Sequence, residues 1–230
     1  MTTTSQASFD NQRVLDIARS IDDVRARIAD AGRDPATVRI VGVTKTFDVA
    51  TVRAAVATGI TAVGENYLTE LEEKRAVTDV PVRWHYLGAL QTNKIARIAA
   101  VADVVSGVSR AKELTKLAQC GPGGVIDVQV DTTGRAERNG APPTEVGDLV
   151  RMARDLGLNV RGLMVVAPPD PDGARDTFET VRRLADDLEV RERSMGMTED
   201  YQLAVTCGST EVRLGRLLFG FREGRGAALT

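Results

Sequence analysis

Lys45 closes the apolar run Val38-Arg39-Ile40-Val41-Gly42-Val43-Thr44-Lys45. A lysine at the C-terminal end of a buried strand has an apolar wall on one side and a polar opening on the other. Partial desolvation disfavours its charged form, and the free amine is a nucleophile toward an aldehyde. A second set of groups brackets the last apolar run. Gly208-Ser209-Thr210 precedes it and Arg213-Leu214-Gly215 ends it. Glycine, two hydroxyls and exposed backbone N–H groups suit a phosphate dianion, and Arg213 can add a charge-assisted contact. Asn66, in Gly64-Glu65-Asn66-Tyr67, offers an amide to a ring hydroxyl, or else caps the helix that starts there. His85, the single histidine, lies in Trp84-His85-Tyr86; by residue type it is more often a structural hydrogen-bonding group than a base. Met164 and Met195 end two later runs, and methionine packs equally well against a flat ring or into a core. Position alone favours a surface lysine at 45, since most strand ends carry no chemistry. A functional reading needs these groups to meet.

The elements that would bring them together follow from periodicity. Val14, Ile17, Ile21, Val24 and Ile28 recur at steps of three and four and predict an amphipathic helix over 10–31, stopped by Gly32. Residues 1–9 are expected to be disordered. Strands are expected at 38–43, 61–63, 82–87, 103–105, 124–130, 160–166, 191–195 and 211–214. Helices at 48–58, 67–77, 94–100, 109–119, 144–156, 173–188 and 199–206 separate them. About eight strands in strict alternation with helices predict a parallel sheet closed into an α/β barrel of the (β/α)8 TIM type, with one leading helix. The first strand lacks the Gly-rich fingerprint of a doubly wound sheet. No linker or repeat divides the chain, so a single domain over 1–230 is expected. In such a barrel, ligand-binding groups gather at the C-terminal ends of the strands.

Composition excludes several functions. A formal net charge of −2 supplies no bulk attraction for DNA, RNA or anionic membranes, so an anionic ligand needs a local site. No run approaches the ~20 apolar residues that span a bilayer, and the polar start at Met1–Ser8 is unlike a secretory signal. Cys120 and Cys207, without CxxC spacing, form no disulfide framework and fit a reducing, cytoplasmic setting. A single histidine argues against a histidine-rich metal centre.

Several motifs occur in one order. They are Val43-Thr44-Lys45, Gly64-Glu65-Asn66-Tyr67, Trp84-His85-Tyr86-Leu87-Gly88 with Gln91-Thr92-Asn93-Lys94, and Arg161-Gly162-Leu163-Met164. Ser194-Met195-Gly196-Met197 with Asp200 follows, and then Gly208-Ser209-Thr210 through Gly215 to Phe219-Gly220. The ordered set, from about Val14 to Gly220, closely resembles the pyridoxal phosphate homeostasis protein family, whose members are similar to the N-terminal barrel of bacterial alanine racemase. The resemblance implies a lone fold-type III barrel without a second domain. It implies that Lys45 holds pyridoxal 5'-phosphate as a Schiff base. Ser209, Thr210, Arg213 and Gly215 fall on the phosphate-binding segment, with the pyridine nitrogen as an alternative for Arg213. Asn66, His85, Met164 and Met195 match pocket-lining positions. The implied role is to bind, buffer and deliver the cofactor in vitamin B6 and amino-acid homeostasis. The implied protein is a monomer, makes transient contact with apo-enzymes, uses no metal and has no assigned catalytic residue. Three positions depart from the family pattern. Arg138 replaces a lysine before Asn139-Gly140, Arg193 replaces an apolar residue, and a proline is absent around Thr46-Phe47. An arginine cannot form the imine that a relay lysine would.

Two enzymes are the alternatives. An amino-acid racemase needs acid–base groups on both faces of the ring, and only Lys45 and His85 are at hand. Alanine racemases also draw a tyrosine from a β-rich second domain, which a chain ending at Thr230 is expected to lack. A barrel aldolase would use the same lysine and phosphate site on a sugar phosphate.

Overall fold

The computed structural model describes residues 3–135 and 138–220. The leading helix α1 (Thr3–Asp30) is followed by β1 (Arg39–Val43), α2 (Val49–Ala57), β2 (Ala62–Glu65), α3 (Leu68–Val77), β3 (Arg83–Tyr86) and α4 (Ile95–Val101). Then come β4 (Val104–Val108), α5 (Ala111–Ala118), β5 (Val125–Val130), α6 (Pro143–Asp155), β6 (Asn159–Val165) and α7 (Pro171–Asp187). The chain continues through β7 (Glu192–Ser194), α8 (Tyr201–Thr206), β8 (Glu211–Leu214) and α9 (Arg216–Phe219). The strands are parallel, pair in chain order and close through β1 and β8 into a barrel. This is the expected (β/α)8 architecture. Two short elements were not anticipated: a 3-10 turn at Pro35–Thr37 and α9. Helix α1 starts at Thr3, ahead of the start at residue 10 that its apolar repeat predicts, and so covers residues 3–9 of the stretch expected to be disordered, while residues 1–2 lie outside the described residues.

The periodic faces are buried where they should be. Ile17, Ile21, Val24 and Ile28 of α1, and Phe178, Val181 and Ala185 of α7, all lie in the core between helices and barrel. Asp48 and Asp170 cap the starts of α2 and α7, whereas α3 begins after Tyr67 without a side-chain cap, so Asn66 does not serve as one. The Asp48 carboxylate accepts from Thr51 N–H at 3.0 Å, and that of Asp170 accepts from Gly173 N–H at 2.7 Å ahead of Pro171. Arg193 extends outward, from Nε to Gly208 O at 2.8 Å and from Nη1 to Asp186 Oδ1 at 2.9 Å, and so ties β7 to α7.

Gly162 lets β6 and β7 approach. A Cβ on it would lie 2.0 Å from Glu192 O and 2.6 Å from Glu192 C, and backbone on the neighbouring strand cannot swing aside. Gly162→Ala is therefore expected to lower the urea midpoint by the equivalent of about 3 kcal/mol, the upper end of overpacking penalties. Gly124→Ala, whose Cβ would meet only Leu158 Cδ2 at 3.4 Å, is expected to leave the midpoint nearly unchanged. Equal effects of the two changes would contradict this account.

Candidate functional site

The C-terminal ends of the strands open into a cleft of about 1140 Å³. Lys45, Asn66, Met164, Arg213 and Gly215, five of the residues singled out from sequence, line it together. Lys45 enters from the turn after β1 and Asn66 from the end of β2. Met164 and Val166 come from β6 and the residue after it. The loop after β7 contributes Met197, Thr198 and Asp200. Pro168, Pro169, Pro171 and Leu203 complete an apolar outer wall.

Each group is held by its surroundings. Arg213 is buried, and its guanidinium donates to Ser194 O at 2.5 Å, Ser194 Oγ at 2.9 Å and Val165 O at 2.7 Å. It is thus pinned to β6 and β7 inside the barrel. Gly215, which lines the cleft, packs closely on β1, where a Cβ would sit 3.1 Å from Val43 O. The Asp200 carboxylate accepts from Met197 N–H at 2.6 Å and Asp200 N–H donates to Met197 O at 3.2 Å, which fixes the loop carrying Thr198. Burial pushes the Asp200 carboxyl up, opposed by the Met197 N–H and by Arg213. Phe47, on the cleft wall, packs edge-on against Phe219 of α9, ring centroids 5.6 Å apart.

Four expected site residues lie elsewhere. Ser209 and Thr210 precede β8, so they stand at its N-terminal end, on the barrel floor rather than at the mouth. Ser209 Oγ bonds Arg193 O, Met195 O and Glu211 O at 3.1, 2.8 and 3.0 Å. Thr210 Oγ1 donates to Glu192 Oε2 at 2.9 Å and accepts from Arg193 N–H. Their hydroxyls join β7 to β8. His85 points into the barrel one layer below the cleft and does not line it. Met195 is wholly buried in the core, because Gly196, at φ +97°, turns the chain so that Met197 faces the cleft instead.

The layer under the cleft is ionic. Arg161 spans Asp127 and Glu211 with four bonds of 2.6–2.9 Å. Arg39 adds contacts to Glu211 at 3.1 Å and Glu192 at 3.3 Å, and Ser106 Oγ donates to Asp127 at 2.7 Å. Burial alone would raise the Glu211 carboxyl; His85 and Arg161 outweigh it and hold the group at about 2. Burial pushes the His85 imidazole below its ordinary value of 6.5, against the pull of Glu211 3.9 Å away. Both groups bind protons more weakly folded than unfolded, so acid favours the unfolded chain. Their contribution is complete above pH 6.5; that of His85 declines from there downward and that of Glu211 from 4.5 toward 2. Each loses at most about 1.4 kcal/mol per pH unit. Urea titrations at pH 7.5 and 5.5 are expected to show lower stability at 5.5, and His85→Gln is expected to flatten that difference.

Met197, Thr198 and Asp200 face the cleft although none was singled out as a site residue from sequence, and Arg138, which stands where the resemblance expects a relay lysine, lines it too. Their signal was positional: each follows the C-terminal end of a strand. Among the described residues no group of three or more His, Cys, Asp or Glu is arranged to hold a metal ion, and no helix is long and apolar enough to cross a membrane.

A closed parallel barrel with a lysine and a buried arginine at one mouth defines a class, the barrels of the alanine racemase N-terminal type. The family model described as alanine racemase, N-terminal domain, matches residues 20–223. Alanine racemase of Clostridium difficile shares the fold at a TM-score of 0.70 and 14% identity, over 92% of this chain and 58% of that one. A protein of Pseudomonas aeruginosa described as a pyridoxal phosphate homeostasis protein is 38% identical over 221 residues, 90% of this chain and 96% of that protein. PipY of Synechococcus elongatus, solved without and with PLP bound, superposes at TM-scores of 0.80 and 0.78. It is 30% identical over 89% of this chain and 100% of its own. The chain belongs to the pyridoxal phosphate homeostasis protein family.

Proposed function

We propose that this protein binds pyridoxal 5'-phosphate at the barrel mouth, holds it through a Schiff base on Lys45, and buffers and delivers it within the cell without catalysing a reaction of its own. The observation that carries the reading is the convergence of Lys45, Asn66, Met164, Arg213 and Gly215 on one cleft. The residues fit the group. Lys45 supplies the amine for the aldehyde. Thr198 and the backbone around Gly215 and Arg216 suit the phosphate, since loops after the seventh and eighth strands of such barrels recurrently bind one. Arg213 is better suited to the ring nitrogen than to the phosphate, because Ser194 and Val165 hold its guanidinium inside the barrel. Met164 and Asn66 suit the ring's face and hydroxyl. When bound, the cofactor supplies a reactive aldehyde, and a reversible link both sequesters it and leaves it transferable to another protein's amine.

The placement of His85 below the cleft supports a carrier over a racemase, which needs a second acid–base group beside the ring. The names of the family members are consistent with this. The test is reconstitution with pyridoxal 5'-phosphate. A visible absorption band that borohydride bleaches is expected, with the reduced label on the Lys45 peptide. Label confined to another lysine, or none, would overturn the assignment. Delivery predicts that loaded protein activates an apo-enzyme faster than free cofactor at the same free concentration.

A further inference from the structure

The turn that carries Lys45 is gripped from behind by a second lysine. Residues 44–47 form a four-residue turn closed by Phe47 N–H donating to Thr44 O at 3.0 Å. Its third residue, Thr46, has φ +66°. A positive φ there ordinarily calls for Gly or Asn, and a β-branched residue is strained. Such strain persists only where the surroundings over-determine the backbone.

Three buried or half-buried side chains do so. Lys74 of α3, 6% exposed, donates from Nζ to Thr44 O at 2.7 Å, to Glu65 Oε1 at 2.7 Å and to Glu70 Oε2 at 3.1 Å. Glu70 Oε2 also accepts from Thr46 N–H at 2.6 Å, and Glu65 Oε1 from Thr44 Oγ1 at 2.6 Å. The residues on both sides of Lys45 are therefore fixed to one cluster between β2 and α3, and none of Glu65, Glu70 and Lys74 lines the cleft.

The cluster is a poor stabilising device. Glu65 is fully buried, and among the described residues its Oε2 has no hydrogen-bond partner. Burial pushes its carboxyl up, opposed by Lys74 and Thr44. Well-packed apolar side chains commonly serve stability as well as a buried ion pair or better. What apolar packing could not supply is a charged second donor for Thr44 O, beside Phe47 N–H, and an acceptor for Thr46 N–H. We propose that Lys74, acting with Glu65 and Glu70, is a positioning residue that holds the Lys45 turn in its strained form and so aims the Lys45 amine at the cleft ligand. The inference rests on Lys45 being the amine that takes the cofactor.

The test compares the full-length chain with Lys74→Met, Glu70→Ala and the double change Lys74→Met/Thr46→Gly. Two readouts are taken on variants shown to be folded by thermal melting. The first is pyridoxal 5'-phosphate affinity, with the fraction trapped on Lys45 by borohydride at saturation. Both single variants are expected to bind about ten-fold more weakly, the value of one charge-assisted hydrogen bond, and to trap a smaller fraction. Gly at 46 adopts positive φ without strain, so the double variant is expected to recover much of the loss, which a purely structural role for Lys74 would not produce. The second readout needs no cofactor: competitive acetylation of Lys45 against exposed Lys112, expected to change several-fold in both single variants. Wild-type affinity, trapping and acetylation in folded Glu70→Ala would overturn the proposal; if Lys74→Met does not fold, Glu70→Ala decides. If the wild-type chain traps no cofactor on Lys45, the reading of the site fails, and the acetylation rates still decide whether the cluster positions the turn.

Discussion

Arg161→Met is expected to remove about 3–5 kcal/mol of stability at neutral pH, the usual consequence of deleting one partner of a buried ion pair. Methionine has a similar reach and fills the space, so cavity formation contributes little. The loss arises from what is left behind. Asp127 and Glu211 are both fully buried, and Arg161 bonds each of them twice. Without it Asp127 keeps only Ser106 Oγ, and Glu211 keeps Arg39, Ser194 and the neighbouring His85 but loses both guanidinium bonds, so two carboxylates in one barrel layer are left short of charge compensation. The pH dependence separates this account from simple misfolding. In the wild type, Glu211 is held at about 2 against the effect of burial, and its contribution declines as pH falls below 4.5. In the variant, burial of Glu211 is opposed by His85 and Ser194 but no longer by Arg161, and Asp127 loses its guanidinium as well, so the two carboxyls take up protons more readily and protonation relieves the folded state. The stability gap between variant and wild type is therefore expected to narrow from pH 7.5 to 5. A gap that is constant with pH would show that the carboxylates are not its source. The layer also bears on function, since Arg213 stands two residues above Glu211 on β8 and reaches the cleft from there.

The same layer shows where sequence reading stops. Charges interrupt apolar runs at Asp127, Arg161, Glu211 and Arg213, and in a parallel barrel such positions face inward and must neutralise one another. Alternation reveals which side chains point inward but not how deep each one lies. His85 was therefore readable as an inward residue and not as one lying a layer below the ligand. Ser209 and Thr210 were misplaced for a simpler reason. Phosphate-like composition was read without strand direction, and residues that precede a strand in an all-parallel barrel stand at the end opposite the mouth. Lys45, Asn66 and Gly215 each follow a strand, and all three reach the cleft. The exchange of Met195 for Met197 depended on a positive φ at Gly196, which glycine permits but does not demand. The Lys74 cluster carried one visible trace, Glu70 and Lys74 at i,i+4 spacing, which reads by default as a surface helix pair. Only the tertiary structure buries it behind the Lys45 turn.

Lys45→Ala is expected to abolish borohydride-trapped label and to weaken pyridoxal 5'-phosphate binding by about 100-fold, roughly 2.8 kcal/mol. Binding should persist at that lower level, because Thr198, Gly215, Asn66, Met164 and Arg213 remain on the cleft wall. Lys45→Arg distinguishes two sources of the loss. Its guanidinium keeps a positive charge near the phosphate but does not form a Schiff base. If attraction for the phosphate dominates, Lys45→Arg should bind nearly as well as wild type; if the covalent link dominates, it should resemble Lys45→Ala. The link is expected to dominate, since Arg213 already places a buried positive charge in the cleft. Ligand-induced thermal stabilisation gives an independent measure. A ligand that binds only the folded chain raises stability by RT ln(1 + [L]/Kd), so a fixed cofactor concentration that stabilises wild type by several degrees should shift both variants little. A Lys45→Ala protein that keeps wild-type affinity and thermal shift would mean that the cleft holds its ligand without the amine, and the lysine would then be a bystander at the mouth.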